Sequence, residues 1–309
     1  MPAFRFGVQL SRAESAEAWR ETARKVEDLG YSTLFIPDHL DDQYAPLVAL
    51  AVAAEATTRL RVGSLVLDND YRHPVVLAKE IATLDVLSGG RVVCGLGAGW
   101  MTADYEQSGI PYDPPGERVA RMAEGLAVMK SLWATGTATL EGRYYQVREA
   151  IGLPQPVQRP HPPIIVGGGS RQVLTIAGRE ADIVGLSPRL ASGHVGPEAV
   201  ASTSAAHYEE RVAWVKEAAG PRFADLEIQC LTFVVQITDD RDAAVDRLAN
   251  VMSVGPEQVA ETPVCLIGTP EELVDTLEGR RERFGINDIV VHEGEMVAFA
   301  PVVAALTGR

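Results

Sequence analysis

Leu34-Phe35-Ile36-Pro37-Asp38-His39 is an apolar run that stops abruptly at a proline, a carboxylate and an imidazole. A buried strand seldom carries Asp and His side by side unless it has reached an edge where polar chemistry is wanted. The segment therefore reads as a strand whose carboxyl end opens onto a site. Taken alone it reads equally well as a Pro37-Asp38 turn with His39 on the surface, so the flanking sequence has to decide.

Upstream, Phe4 to Leu10 is a short apolar strand. Ser15 then caps a helix with Trp19, Ala23, Val26 and Leu29 on one face, stopped by Gly30. Downstream, an Ala/Leu/Val-rich helix over 46–57 precedes a third strand, Leu60 to Leu67, whose continuous hydrophobicity suits a parallel sheet covered on both faces. Pro74 opens a helix carrying Leu77, Ile81, Leu84 and Leu87, closed by Gly89-Gly90, and Arg91 to Leu96 is a fourth strand. A helix over 117–133 leads into an excursion over 134–163 that reads as a hairpin lying over the rest. Strands then recur over 163–166, 182–186, 226–237 and 287–292, with helices between them, including one opened by the capping box Thr269-Pro270-Glu271-Glu272. The stretches 187–202 and 253–263 read as irregular loops.

Strand and helix alternate eight times without a composition break. The pattern predicts an α/β fold, a closed TIM-like (β/α)8 barrel, in one domain over 1–309 with inserted loops at its carboxyl-terminal face. A doubly wound open sheet also fits eight strands. It would carry a dinucleotide fingerprint after the first strand, and Gly7-Val8-Gln9-Leu10-Ser11 is not one.

A net charge of −14 argues against nucleic acid or an anionic membrane surface as partner, both of which need a basic face. Cys94, Cys230 and Cys265 are scattered through apolar runs and read as buried free thiols, and no stretch resembles a signal sequence. The expectation is a soluble cytoplasmic enzyme acting on a small molecule. The histidines lack metal-ligand spacing, so no metal site is expected.

Barrel active sites lie where the strands end. Strand two ends in Asp38-His39, strand four in Gly95-Leu96-Gly97-Ala98-Gly99-Trp100, strand five in Gly167-Gly168-Gly169-Ser170 and strand six at Ser187. Three glycines before a helix let the main chain approach a ligand, and free N–H groups there suit a phosphate, assisted by the Ser170 hydroxyl. The alternative is a plain glycine-rich turn with Ser170 as a cap. Gly97 and Gly99 leave room for a flat ring, with Trp100 either walling the pocket or packing in the core and Ser187 as a further pocket residue. All four lysines fall in helices, so no Schiff-base lysine stands at a strand end. A phosphate cradle, a ring-sized gap and one imidazole suit a cofactor enzyme in which the protein supplies orientation and one proton-transfer group.

The chain resembles the luciferase-like monooxygenase superfamily, in its branch of coenzyme F420-dependent oxidoreductases. The resemblance is carried by Leu34 to His39, by Tyr71-Arg72-His73-Pro74 onward through Leu84-Asp85 to Ser88-Gly89-Gly90-Arg91, by Gly95 to Trp100, and by Ile165 to Ser170. It implies a bacterial-luciferase-like barrel, a homodimer, and a deazaflavin in the barrel mouth. It further implies His39 as proton donor or acceptor, oriented by Asp38, with the cofactor phosphate on Gly167–Ser170. A non-proline cis peptide backing the ring is implied at Ser64–Leu65. One departure is plain: the sugar-phosphate dehydrogenase branch has a catalytic Glu where this chain has Trp100, which points to a less polar substrate. FMN is the alternative cofactor, giving a flavin monooxygenase, and a non-catalytic flavin or deazaflavin carrier is the reading from outside enzymology.

Overall fold

The eight predicted strands form one closed parallel barrel, seen in a computed structural model that describes residues 2–309. They are, in order, Arg5–Gln9, Thr33–Ile36, Arg61–Ser64 continuing as Leu67–Asp68, Val92–Gly97, Ile164–Gly168, Ile183–Leu186, Glu227–Leu231 and Ile286–His292. The first strand pairs with both the second and the eighth, and the third pairs with the fourth, which closes the ring.

Alternation along each strand divides the apolar side chains into two cores. The larger lies between the strands and the helices and takes Phe6, Val8, Leu34, Ile36, Val62, Leu96, Val166 and Val291 together with Trp19, Leu77, Trp133 and Phe299 from the helices. The smaller lies inside the barrel and holds Phe35, Val93, Ile165, Ile183 and Val290. Phe35 fills this interior because its neighbours give way: a Cβ on Gly7 or Gly63 would lie 2.7 or 2.9 Å from its ring. Below that layer the barrel floor is polar, with Gln229 Nε2 donating to Asp288 at 2.6 Å and Arg5 facing Glu227 at 3.3 Å.

The third strand is broken. Val62 pairs with Val92 but Leu67 with Leu96, so strand three carries one residue more than strand four across the break. The non-proline cis peptide is in this bulge, at Leu65–Val66, one bond later than the resemblance implied.

Several connections differ from expectation. The predicted strand 226–237 leaves the barrel after Leu231, because Phe233 N–H turns to Val264 O at 2.8 Å. Val234–Ile237 then pairs with Cys265–Gly268, a strand the sequence reading missed. The irregular stretches contain the short helices Pro197–Ala201 and Pro256–Glu261, and another, Thr102–Ser108, stands in the loop after strand four. The 134–163 excursion does form a hairpin, Thr137–Glu141 with Gln146–Ile151. It lies along the helix Pro115–Thr135 on the barrel's flank rather than over the barrel: Ser131 Oγ donates to Thr137 O at 2.7 Å, and Ala138, Tyr145 and Val147 join the outer core.

Candidate active site

The carboxyl ends of strands two, three and four and the short helix after strand four converge on His39. Its Nδ1 lies 2.8 Å from Asp104 Oδ2, and the other oxygen of that buried carboxylate accepts from Leu40 N–H at 3.1 Å. Asp104 thus clamps two consecutive residues at the end of strand two. The His39 ring stands perpendicular to Trp100 at 5.6 Å between centroids, which fixes its tilt. An ionised carboxylate can only accept, so Nδ1 carries the proton toward Asp104 and Nε2 is the atom left for proton exchange. Among the described residues Nε2 makes no hydrogen bond.

Asp38 does not orient His39. Its carboxylate binds Arg72 through both oxygens, at 2.5 and 3.1 Å, and accepts from Asp68 N–H at 3.0 Å. Burial alone would lower the Arg72 pKa, but these bonds raise it overall. Asp38 therefore ties the end of strand two to the end of strand three. The Tyr71-Arg72 pair enters the site by this route, and Tyr71 with Asp38 and His39 lines a cleft of about 450 Å³ that also touches Leu40, Pro46 and Ile110.

The glycines of strand four serve the bulge of strand three. A Cβ on Gly95 would lie 2.1 Å from Ser64 O and one on Gly97 would lie 2.7 Å from Val66 Cγ2, so the room expected for a flat ring is taken by the neighbouring chain. Ser64 is buried, its hydroxyl donating to Gly95 O at 2.9 Å and accepting from Gly95 N–H at 3.0 Å. Leu65 and Val66 are half-buried and join the inner core from above, and Gln9 Nε2 donates to Leu65 O at 3.2 Å. Gly99, at φ +71°, has Tyr105 and Asp68 against its Cα.

On the far side of the mouth, Gly167 is the roomiest glycine of its loop, a Cβ there meeting nothing closer than Val66 at 3.7 Å. Gly168 is required by Val173 of the following helix, and Gly169 by the main chain of Ser187 and Pro188. Ser170 caps the helix Arg171–Glu180, accepting from Val173 N–H at 3.3 Å. The N–H groups of Arg171 and Gln172 find no acceptor among the described residues, the usual state of a first helical turn and one suited to an anion. Ser187 N–H donates to Gly168 O at 3.1 Å, which puts Ser187 beside this loop. Its chain continues to Gly193, whose carbonyl accepts from Thr102 N–H at 3.1 Å, an arch over the exit of strand five.

The sequence reading missed Asp104, Arg72 and Val66. Arg72 lay in the quoted block Tyr71 to Pro74, but a pairing across 34 positions leaves no local trace. Asp104 has one faint signal, a carboxylate directly before Tyr105 in a segment otherwise read as loop.

Residues 2–262 match the family described as luciferase-like monooxygenase. The chain is 32% identical over 170 residues to the F420-dependent glucose-6-phosphate dehydrogenase of Amycolatopsis mediterranei, an alignment covering 52% of this chain and 50% of that relative. It is 27% identical over 187 residues to the FMNH2-dependent dimethylsulfone monooxygenase of Pseudomonas putida, covering 57% and 51%. Among solved structures, the coenzyme F420-dependent tetrahydromethanopterin reductase of Methanopyrus kandleri superposes with a TM-score of 0.77 over 97% of each chain at 21% identity, a likeness of fold.

Proposed function

The chain belongs to the luciferase-like monooxygenase family, and on that premise we propose that it is an F420-dependent oxidoreductase moving a hydride between the deazaflavin and a small organic substrate. The observation that carries this reading is His39, with Nδ1 held by the buried Asp104 and Nε2 without a partner among the described residues. The residues present fit the cofactor. Gly167 has space above it, and the N–H groups of Arg171 and Gln172 offer donors for a phosphate, beside the Ser170 hydroxyl. When bound, the cofactor supplies or accepts the hydride. His39 gives or takes the accompanying proton at Nε2, Asp104 keeps Nδ1 protonated so that Nε2 faces the reaction, and Trp100 limits the tilt of the imidazole. Asp38 acts one step back, holding Arg72 and the end of strand three.

An FMN-dependent monooxygenase is the competing reading, favoured by the FMNH2-dependent relative; the higher identity to the F420-dependent one supports F420. A homodimer is part of the proposal, supported by the exposed Val48 on the apolar helix Pro46–Ala56 and Val76 on the next helix. The test is His39→Ala. Loss of a general acid–base group lowers turnover by about 10²–10⁴-fold, with F420 affinity held within about twofold. Unchanged turnover would remove the acid–base role and favour a carrier.

A further inference from the structure

Beneath the two supports of His39 lies a hydrogen-bonded set whose protons do not balance if every carboxyl is ionised. The hydroxyl of Tyr105 lies 3.0 Å from Asp68 Oδ2 and 3.0 Å from Asp70 Oδ2. A phenol has one proton, so it can make a full hydrogen bond to only one of them, and a full bond at the second contact needs a proton from a carboxyl. Asp70 is not its source, because Arg121 binds it through Nε at 2.8 Å and Nη2 at 3.0 Å, a bidentate pairing that favours the anion. Asp68 is buried without a cation of its own; its Oδ1 accepts only from Asp70 N–H at 2.9 Å. Of the arrangements in which both contacts are full hydrogen bonds, the one that keeps Asp70 ionised has Asp68 as the neutral acid donating to Tyr105, which donates to Asp70.

The surroundings point the same way. Asp68 is faced by Asp38 at the end of strand two, which is itself neutralised by Arg72, and by Tyr71, Asp70 and Tyr105; Arg121 is engaged by Asp70 and by Asp113 at 2.8 Å, and Arg118, 5.7 Å from the Tyr105 ring centroid, donates to the carbonyls of Ala98 and Gly99. Burial, chiefly, raises the Asp68 pKa to about 7, the Asp70 and Asp38 charges adding to it and the hydrogen bonds from Asp70 N–H and Tyr105 opposing it.

We infer that Asp68 is a positioning residue which, as the neutral acid and through Tyr105, holds the two groups that fix His39, so that loss of its one proton loosens the mouth. The connection is short. Gly99, which precedes Trp100, packs directly on this pair: a Cβ there would lie 1.9 Å from Tyr105 Oη and 2.4 Å from Asp68 Oδ2. Tyr105 follows Asp104, the carboxylate that binds His39. When the proton leaves to solvent, Tyr105 Oη has one proton to share between two anions, and the packing of Gly99 and Tyr105 on Asp68 loosens. Trp100 and Asp104 move with them. The link to turnover rests on the proposed role of His39; the proton count does not.

The test is infrared spectroscopy and amide exchange on the whole protein from about pH 5 to about pH 9, comparing wild type with Asp68→Asn. Asparagine keeps the acceptor for Asp70 N–H and gives Tyr105 a permanent donor, so the variant should fold and mimic the protonated acid. In the wild type, the carbonyl stretch of a neutral carboxyl should fade as pH rises, and the component due to Asp68 should be missing from Asp68→Asn at every pH. Protection of Gly99–Tyr105 amides, corrected for intrinsic exchange, should fall about tenfold in the wild type over the same range and stay high in the variant. Tyr105→Phe, lacking the bridge, should show the low protection throughout. An infrared component unchanged by Asp68→Asn, or equal loss of protection in both proteins, overturns the inference. If both signals behave as expected while turnover does not follow them, the positioning inference holds and the proposed role of His39 falls.

Discussion

Replacing Gly95 by alanine tests the packing on which the site is built. The added Cβ would stand 2.1 Å from Ser64 O, 3.0 Å from Ser64 C and 2.9 Å from Val66 Cγ1. The first two are main-chain atoms and cannot swing aside. Separating the strands would break the two bonds between the Ser64 hydroxyl and Gly95, and would strain Leu65 N–H to Ile36 O at 2.9 Å. Overpacking costs about 1–3 kcal/mol and the two lost hydrogen bonds about 1 kcal/mol each, together about 3–5 kcal/mol. An unfolding entropy of about 2.1 cal/mol/K per residue gives about 0.65 kcal/mol/K for this chain, so Tm should fall by about 5–8 °C. Gly97→Ala meets only a side-chain methyl, Val66 Cγ2 at 2.7 Å, and should lose less. Gly116→Ala, with nothing within 4 Å of its Cβ, is the control and should be neutral or slightly stabilising. Thermal unfolding of the three variants checks the series. A Gly95→Ala protein melting within about 2 °C of the wild type would refute the idea that strand four is glycine-rich to admit the bulge of strand three.

Asp104→Asn should reverse the hydrogen bond at His39, since an amide can donate to Nδ1 and so favour the proton on Nε2. Nitrogen NMR of His39 should report the exchanged tautomer, and an unchanged tautomer would exclude Asp104 as its determinant. Arg72→Met should leave the Asp38 carboxylate buried and unpaired, lowering stability by about 3–5 kcal/mol in chemical denaturation; a smaller loss than about 1 kcal/mol would show that the pair is not buried in solution. Asp288, sealed in the barrel floor, has its pKa raised by burial from 3.8 to about 7. Between those values the folded state binds the proton more tightly than the unfolded state, so stability falls as pH rises through that window. Asp288→Asn should flatten the dependence of Tm on pH there in part, Asp68 contributing in the same direction.

What could be read from the chain and what could not divide along a physical line. The barrel was legible because each strand is a short, nearly continuous apolar run between turn residues, and the strand-to-helix period repeats eight times. Strand ends were legible for the same reason, so Asp38-His39, Gly95–Trp100 and Gly167–Ser170 were expected at the mouth, where they are found. Partnerships between them were not. Asp38 and His39 are adjacent in sequence, yet one binds Arg72 and the other Asp104, because consecutive side chains leave the strand in different directions. The glycines of strand four look alike in sequence whether they admit a ring or a neighbouring backbone; only the position of Ser64 and Val66 distinguishes the two. The strand Cys265–Gly268 went unnoticed because it lies between Pro263 and the capping box, too short to show an alternating pattern.

The most direct test of the central claim is equilibrium titration of the purified protein with F420 and, separately, with FMN, followed by fluorescence. The account predicts saturable F420 binding at one site per chain, weakened when Gly167 is replaced by valine, and much weaker binding of FMN. Tight FMN binding with no affinity for F420 would contradict it.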